Sequence, residues 1–277
     1  MCRRISSILA SAGIAALVLV STPAGAQLLG TASDFAVLGA TPNVTNTGAS
    51  VVSGNVGVWP AASITGFPPG SIVPGTGFLH LGDVIAQQAQ TDTTAAYLNL
   101  AGLVSAPILP ALGGQILTPG VYNAGAANLT GTLTINGPGL YVIQATSLTT
   151  ASGPGASVVS LIGGATACDI WWQIGSSAAI GTFSAMQGNI LALTSITIGT
   201  SASLQGRALA RNGTVTLDTN NITACSGGTA PGYIVPAAAP IPPAVNVPIP
   251  TLSEWAMILL AALMAVAGVA AMRRHGR

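Results

Sequence analysis

The chain has very few of the side chains that carry acid–base and nucleophilic chemistry. Its 277 residues include no lysine, one glutamate and two histidines, and only 5% of them are charged. Between residues 27 and 250 the charged set shrinks to two arginines and five aspartates. Catalysis and metal binding need clusters of such groups, and nucleic-acid binding needs a basic patch. We therefore expect no catalytic residue, no metal site, no cofactor and no nucleic-acid partner.

The N-terminal end has the pattern of a secretory signal peptide. Arg3 and Arg4 precede an apolar run over residues 8–20, and the small residues 23–26 suit cleavage before Gln27. The alternative is a membrane helix that is not removed, although the run is short for a membrane span. We expect the mature protein to begin near Gln27.

The C-terminal end combines a membrane helix with a sorting motif. Residues 255–272 contain no charge and would rise about 27 Å as a helix, which is enough to cross a bilayer core. The arginine-rich tail 273–277 predicts a cytoplasmic end. With that helix and tail, the segment IPTLSEW at 249–255 resembles the IPTL-type C-terminal sorting domain of Gram-negative bacteria. The resemblance implies cleavage by an exosortase-like protease of the inner membrane and attachment at the cell surface; a plain membrane anchor is the alternative.

Four segments follow from these ends. They are a signal peptide (1–26), a folded domain (27–225), a linker (226–250) and a sorting signal with a transmembrane helix (251–277). The linker is rich in proline and alanine and favours a stiff, extended spacer. Cys168 and Cys225 remain in the exported chain, where an oxidising compartment favours a disulfide. Two separate buried thiols are the alternative, because a sequence does not show whether two sulfur atoms meet.

The middle of the chain is apolar, glycine-rich and repetitive. Half of all residues are hydrophobic, which excludes a disordered chain. Residues 180–189 align with 198–207 at an offset of 18, and apolar residues alternate along segments such as 129–135. A period of 18 to 19 residues suits one turn of a β-helix made of three short strands. One side chain in two would then enter the core.

Residues 81–103 interrupt this repeat. Their apolar residues recur at spacings of mostly three, four and seven, which predicts an amphipathic helix of five to six turns along one side of the coil. Pro107 and Pro110 prevent its continuation. The predicted apolar stripe consists of Leu81, Val84, Ile85, Ala89, Ala96, Leu100 and Leu103.

Five segments of the domain resemble the microbial ice-binding protein family. They are residues 44–58, 119–122, 168–176, 188–192 and 206–210. The resemblance spans nearly all of residues 28–225. It implies a mainly β fold, namely a right-handed discontinuous β-helix of triangular section with one long α-helix packed alongside, and it implies binding to ice.

A neutral threonine-bearing face would suit such a function. Threonine is stiff at χ1 and carries both a methyl and a hydroxyl group, and residues 27–250 contain 26 threonines. The turn after each glycine corner resembles a pattern that some family members place on their ice-binding face, which predicts contacts from Thr47, Ser50, Thr182, Ser184, Thr200, Ser203 and Thr219. A competing face would carry Thr130, Thr132, Thr134, Thr149, Thr197, Thr214 and Thr216.

Two function classes remain open from the sequence. The first is a secreted or surface-attached ice-binding protein whose partner is ice or ordered water. The second is a surface adhesin or biofilm protein that binds polysaccharide or cells. A β-helix glycosidase would need paired carboxylates, whereas the five aspartates are scattered. We assign Trp171 and Trp172 to the core and the helix junction, and we expect Arg207 and Arg211 to pair with Asp169 or Asp218 or to bind carbonyl groups.

Overall fold

Three parallel sheets of short strands form a β-helix in this computed structural model, which describes residues 28–225. Sheet A contains, in spatial order, β7 (Leu79–Leu81), β4 (Asn55–Val58), β1 (Phe35–Gly39), β22 (Ala208–Ala210), β19 (Asn189–Ala192), β16 (Ile170–Ile174), β13 (Tyr141–Ala145), β10 (Gly120–Asn123) and β8 (Ala106–Pro107). Sheet B contains β11 (Ala126–Leu129), β14 (Ser147–Thr150), β17 (Ala178–Ile180), β20 (Ile196–Ile198), β23 (Val215–Leu217), β2 (Val44–Asn46) and β5 (Ile64–Thr65). Sheet C contains β6 (Ser71–Ile72), β3 (Val51–Ser53), β24 (Asn221–Thr223), β21 (Ser203–Gln205), β18 (Ala185–Gln187), β15 (Ser157–Ile162), β12 (Gly131–Asn136) and β9 (Ile116–Leu117).

The coils are not stacked in chain order. The chain runs from β1 to β7 at one end of sheet A, and the helix α1 (Val84–Ala101) then leads to β8 at the other end. The following coils return toward the start until β22 pairs with β1. Strands β23 and β24 pair with β2 and β3 in the same way. This confirms the predicted discontinuous β-helix, since the first and last coils meet inside the stack.

The 18-residue period reflects this stacking. Ile180 pairs with Ile198, and the turns that follow place Phe183, Ser201 and Thr219 at equivalent positions with φ of 59°, 61° and 55°. Segment 129–135 differs from the expected single strand. The chain turns there at Gly131, where φ is 87°, and passes from β11 in sheet B to β12 in sheet C.

Sheet A is buried on both sides, because α1 covers its outer surface. Strands such as β13 and β16 are buried at every position, as expected for parallel strands that lie between two layers. Trp172 belongs to the cluster inside the coil, whereas Trp171 packs in the outer cluster with Tyr97 and Leu100 of the helix. The two interpretations of the tryptophans are therefore confirmed.

The face of α1 that touches the sheet differs from the predicted stripe. Leu81 and Val84 are exposed, Val84 to 76%, whereas Gln90 lies inside and donates to the carbonyl oxygens of Ala210 and Arg211 at 2.8 and 2.6 Å. The helix also begins later than predicted, because the Asp83 side chain accepts a hydrogen bond from the Ala86 N–H as its N-cap. The buried residues of α1 are Ala86, Ala89, Gln90, Thr93, Ala96, Tyr97 and Leu100. Mostly small residues face the sheet, so size decided this packing more than apolar character.

The close approach of neighbouring coils predicts a sharp difference between two glycines. Gly206 has φ of 150° and turns the chain from sheet C to sheet A, and a Cβ there would lie 1.9 Å from the Gly188 carbonyl oxygen. Gly155 also has a positive φ, of 70°, but a Cβ there meets nothing within 4 Å. We expect Gly155→Ala to cost about 1–2 kcal/mol of unfolding free energy through backbone strain, and Gly206→Ala to cost at least about 3 kcal/mol. Thermal melting of both variants measures this, and equal losses would contradict it.

Candidate functional site

Sheet B presents an open face with a regular row of side chains. Its strands alternate between buried and outward residues, as in the buried–exposed–buried pattern of β20. The outward residues stand in register across all seven strands, in the order Asn128, Thr149, Ala179, Thr197, Thr216, Thr45 and Thr65. Five of these seven are threonine, and neighbouring strands of a sheet lie about 4.8 Å apart. We call this set the central row.

The threonine hydroxyls of the central row face outward without a protein partner. Within residues 28–225 none of the five hydroxyls forms a hydrogen bond to another protein group. Each threonine is flanked along its strand by buried apolar residues, such as Ile196 and Ile198 around Thr197. The branched Cβ restricts χ1, so methyl and hydroxyl groups are held in a fixed array.

The hydroxyls along the two edges of sheet B are, in contrast, bonded to protein. On the edge toward sheet A, the hydroxyls of Ser177 and Thr194 lie 2.8 Å apart, and Thr214 donates to the Asn43 carbonyl oxygen at 2.7 Å. These bonds link successive coils. The edge is thereby stiffened next to the central row.

The edge toward sheet C is organised by the Asp218 carboxylate. Thr200 donates to it at 2.5 Å, Thr219 at 3.0 Å, and Thr47 also hydrogen-bonds it. These hydrogen bonds, the one from Thr200 first, lower the pKa of Asp218 below its ordinary value. Because Thr47 belongs to the first coil and Asp218 to the last, the cluster ties together the two coils that meet inside the stack.

The predicted contact residues fall into three groups in the structure. Ser50 and Ser184 are only 0% and 1% exposed, so their assignment to a contact surface is wrong. Ser50 instead donates to Asn46 at 2.5 Å inside the corner, and the Ser184 hydroxyl lies 2.8 Å from that of Thr150. The turn after each glycine folds one hydroxyl inward to satisfy buried groups, which a linear pattern does not reveal.

The other predicted residues lie at the edge or on another sheet. Thr47, Thr182, Thr200 and Thr219 occupy the edge between sheets B and C, and three of them surround Asp218. Ser203 is an outward residue of β21 in sheet C. The structure therefore brings four of the seven residues together at one edge, outside the central row.

The residues of the competing set are divided among several surfaces. Thr149, Thr197 and Thr216 belong to the central row. Thr132 and Thr134 lie on β12 in sheet C. Thr214 lies at the edge toward sheet A, and Thr130 lies at the turn after β11, where it donates to the Asn128 side chain at 3.1 Å. Strand alternation alone could not separate these surfaces.

Sequence reasoning missed Thr45 and Thr65. Each directly follows a branched apolar residue that faces the coil, Val44 and Ile64 respectively, and the two threonines are paired in register. The strands that carry them are only three and two residues long. Alternation over so few residues is too short to stand out in a sequence.

Sheet C offers a less regular outward surface. Its outward positions mix large apolar residues with amides and hydroxyls: Val51, Ser53, Ile116, Thr132, Ile162, Ser203, Gln205, Asn221 and Thr223. No single side-chain type repeats across its strands, so sheet B is the more uniform face.

The remaining polar residues that were singled out have structural partners. Arg207 donates to the carbonyl oxygens of Ser33 and Cys225, as one of the expected arrangements required. Arg211 pairs with neither aspartate; it donates to Thr94 at 3.2 Å, and its guanidinium lies 5.2 Å from the Tyr97 ring centre. Within the described part of the chain, no three histidine, cysteine or carboxylate side chains converge as a metal site would require.

Cys168 and Cys225 lie side by side. Their thiols are hydrogen-bonded, and this bond together with burial raises the pKa of Cys168. The same bond and the nearby Arg207 cation lower the pKa of Cys225 against the opposing effect of burial. Cys225 is thus the thiol of the pair that ionises more readily, and a covalent bond between the two sulfurs stays a prediction.

The proposed targeting segments lie outside the described residues. The signal peptide, the linker and the C-terminal membrane helix all fall within residues 1–27 or 226–277. Between residues 28 and 225, no helix is both long and apolar enough to span a bilayer.

Comparison with known proteins gives consistent matches. Residues 38–223 match the family described as Ice-binding-like, and residues 247–274 match the IPTL-CTERM motif. The chain is 46% identical to an ice-binding protein of Nostoc sp. (strain HG1), over 80% of this chain and 82% of the relative. A crystal structure of an ice binding protein from an Antarctic biological consortium is 41% identical, with a TM-score of 0.67 over 77% of this chain and 96% of that one. The ice-binding protein of the Antarctic ascomycete Antarctomyces psychrotrophicus is 37% identical, with a TM-score of 0.66 over 72% and 98%.

The Asp218 cluster predicts a pH-dependent contribution to stability. Because the folded chain lowers the pKa of this carboxyl, its contribution is fully present above the unfolded value of about 3.9 and is lost as the pH falls through the folded value. We expect Asp218→Asn to lower the melting temperature at about pH 6, and the gap to wild type to narrow toward about pH 2. Asp34→Asn controls for the loss of one negative charge. A gap that stays constant with pH would contradict the assignment.

Proposed function

The chain belongs to the ice-binding-like family, and from that premise we propose that its domain adsorbs to ice through the outward face of sheet B. The observation that carries the proposal is the central row, in which five threonine hydroxyls and methyls stand in register without protein partners. Sheet A is covered by α1, and sheet C has no comparable repeat. Sheet B is therefore the best-suited face.

The chemistry of this face suits a surface made only of water. Ice offers no charge, so a charged side chain on the binder would keep its own hydration shell. Methyl groups favour ordered water beside them, and the unbonded hydroxyls can join that layer by hydrogen bonds. Apart from Asp218 at the edge, sheet B and its flanking turns carry no charged side chain.

Adsorption would act on ice through geometry. The β-helix holds the row rigid, so little conformational entropy is lost on contact. Molecules fixed to a growing ice front force the ice to bulge between them, and a curved front freezes at a lower temperature. The hydrogen-bonded edges support this role because they restrict movement of the turns beside the row.

We propose that the domain acts by binding, without catalysis. The five aspartates of the described domain belong to different coils or to the helix region, and none is paired with a second carboxylate. The His80 ring, which lies 2.8 Å from the Asp83 carboxylate at the helix start, belongs to the N-cap arrangement rather than to a groove. The site thus depends on shape and ordered water.

The sorting motif and the family imply export to the cell surface or the extracellular space. We propose further that residues 1–26 are a signal peptide, that 226–250 form a spacer, and that an exosortase-like protease of a Gram-negative inner membrane removes the tail. The motif match at 247–274 supports the tail assignment. The host would then carry an ice-binding domain on its surface.

Replacing Thr197 in the middle of the central row tests the face. We expect Thr197→Tyr to remove most of the thermal hysteresis and ice affinity of the exported protein, because a protruding ring separates a flat face from ice. The melting temperature should change little, since the residue is exposed. Thr132→Tyr on the outward side of sheet C is the matched control and should keep full activity, and Thr200→Tyr tests the edge. Loss in Thr132→Tyr or Thr200→Tyr, with activity kept in Thr197→Tyr, would move the contact surface elsewhere.

Export predicts the redox state of the cysteine pair. We propose that Cys168 and Cys225 form a disulfide in the exported chain, supported by the hydrogen bond between their thiols. Two thiols exchange with a disulfide of the oxidising compartment, which leaves as a dithiol. The full chain should therefore resist alkylation until it is reduced, whereas a chain lacking residues 2–26 should be alkylated at both positions. Mass measurement after alkylation decides this, and equal labelling of both chains would rule it out.

A further inference from the structure

The two ends of the described domain meet at one edge of the β-helix. Each coil visits sheets B, C and A in turn, so the last coil passes through β23 and β24 and reaches the edge between sheets C and A at Cys225. The next place in sheet A, between β4 and β22, is occupied by β1. The first strand of the domain therefore completes the last coil, and the chain leaves the stack at Cys225.

The Arg207 side chain bridges this meeting point. Its guanidinium donates to the Ser33 carbonyl oxygen at 2.6 and 3.1 Å, to the Cys225 carbonyl oxygen at 2.6 Å and to Asn189 Oδ1 at 2.9 Å. Asn189 donates in turn to the Cys168 carbonyl oxygen at 3.4 Å. One buried cation thus connects the entry to β1, the exit of the chain and the coils of β19 and β16. We call this set the Arg207 junction.

The position of the junction matters for a tethered protein. In a stack with three sides, the edge between sheets C and A lies opposite sheet B. The chain beyond Cys225 leads toward the motif at 247–274. A load applied between a contact on sheet B and the C-terminal side of the chain must therefore cross the whole β-helix and pass through Cys225.

We propose that the Arg207 junction is the load-bearing base of the surface tether. The inference rests on the proposed ice contact and surface attachment. Without the junction, tension on the exit would peel β24 from between β21 and β3, and β24 is only three residues long. Peeling breaks hydrogen bonds one after another. With the junction, the same tension loads the bonds of Arg207 to Ser33, Cys225 and Asn189 together, and charge-assisted bonds are about twice as strong as neutral ones.

Single-molecule pulling on the full chain in detergent tests this. One handle is attached through an azide-bearing amino acid at position 179 in the central row, and the other through one in the 226–250 segment. Reducing buffer keeps the cysteine pair from carrying the load. Peeling of the last coil would appear as a separate early step of about 40 Å, the extended length of residues 215–225.

The expected outcomes differ between variants. Wild type should unfold without the early step, whereas Arg207→Met should show it, with a lifetime of the last coil under constant force that is roughly ten- to hundredfold shorter. Arg211→Met removes the other arginine of the domain, whose contacts are to Thr94 and Tyr97, and should behave as wild type. Arg207→Lys keeps the charge but has no planar fork to reach three acceptors, and it should show the early step too.

Other results would overturn the proposal. An early 40 Å step in wild type at the force seen for Arg207→Met would show that the junction carries no load. Should neither Arg207 variant fold, the wild-type trace alone decides. The pulling needs no ice, so a domain that fails to adsorb to ice can still pass this test, and a domain that adsorbs can still fail it.

Discussion

In-register pairing of parallel strands between coils is the constraint on which the other features of this domain depend. The pairing that stacks Ile196 on Val215 and Val44 inside the coil also sets Thr197 beside Thr216 and Thr45 outside it. A slip of one residue would turn every outward side chain inward. The apolar ladder of the core therefore maintains the register of the central row, and a surface suited to a crystalline partner arises from the packing of the interior.

The same stacking explains how a domain with so few charges satisfies its buried polar groups. Neighbouring coils pair their backbone groups along the strands, and short polar side chains serve the corners. At the edge between sheets B and C, the Asn220 amide donates to the Gly199 and Ala202 carbonyl oxygens at 2.8 and 3.1 Å, and its backbone N–H donates to Ser50 at 2.9 Å. Hydroxyls at the corners are therefore used by the fold, whereas those in the middle of sheet B remain available.

The order in which the coils stack has consequences for attachment as well as for stability. Because α1 carries the chain from one end of the stack to the other, the last coil is enclosed between earlier ones rather than left at an open end. The exit of the chain thus lies in the middle of the β-helix, beside its entry. A domain that is held through its C-terminal side and contacts its partner through sheet B would distribute tension over several coils.

The sequence by itself determined the local properties of this chain. A period of 18 to 19 residues and short alternating segments predict a β-helix, because one coil of three strands needs that length. The sorting motif and the near absence of charge are likewise composition and pattern, and they are readable without coordinates. Tertiary structure decided which threonines share a face. Thr45 and Thr65 join Thr197 only because the first coil docks against the last, and Ser50 and Ser184 turn inward only because buried partners await them. Spacing along a chain records neither which coils are neighbours nor which hydroxyls the corners use, since both follow from contacts between residues far apart in sequence.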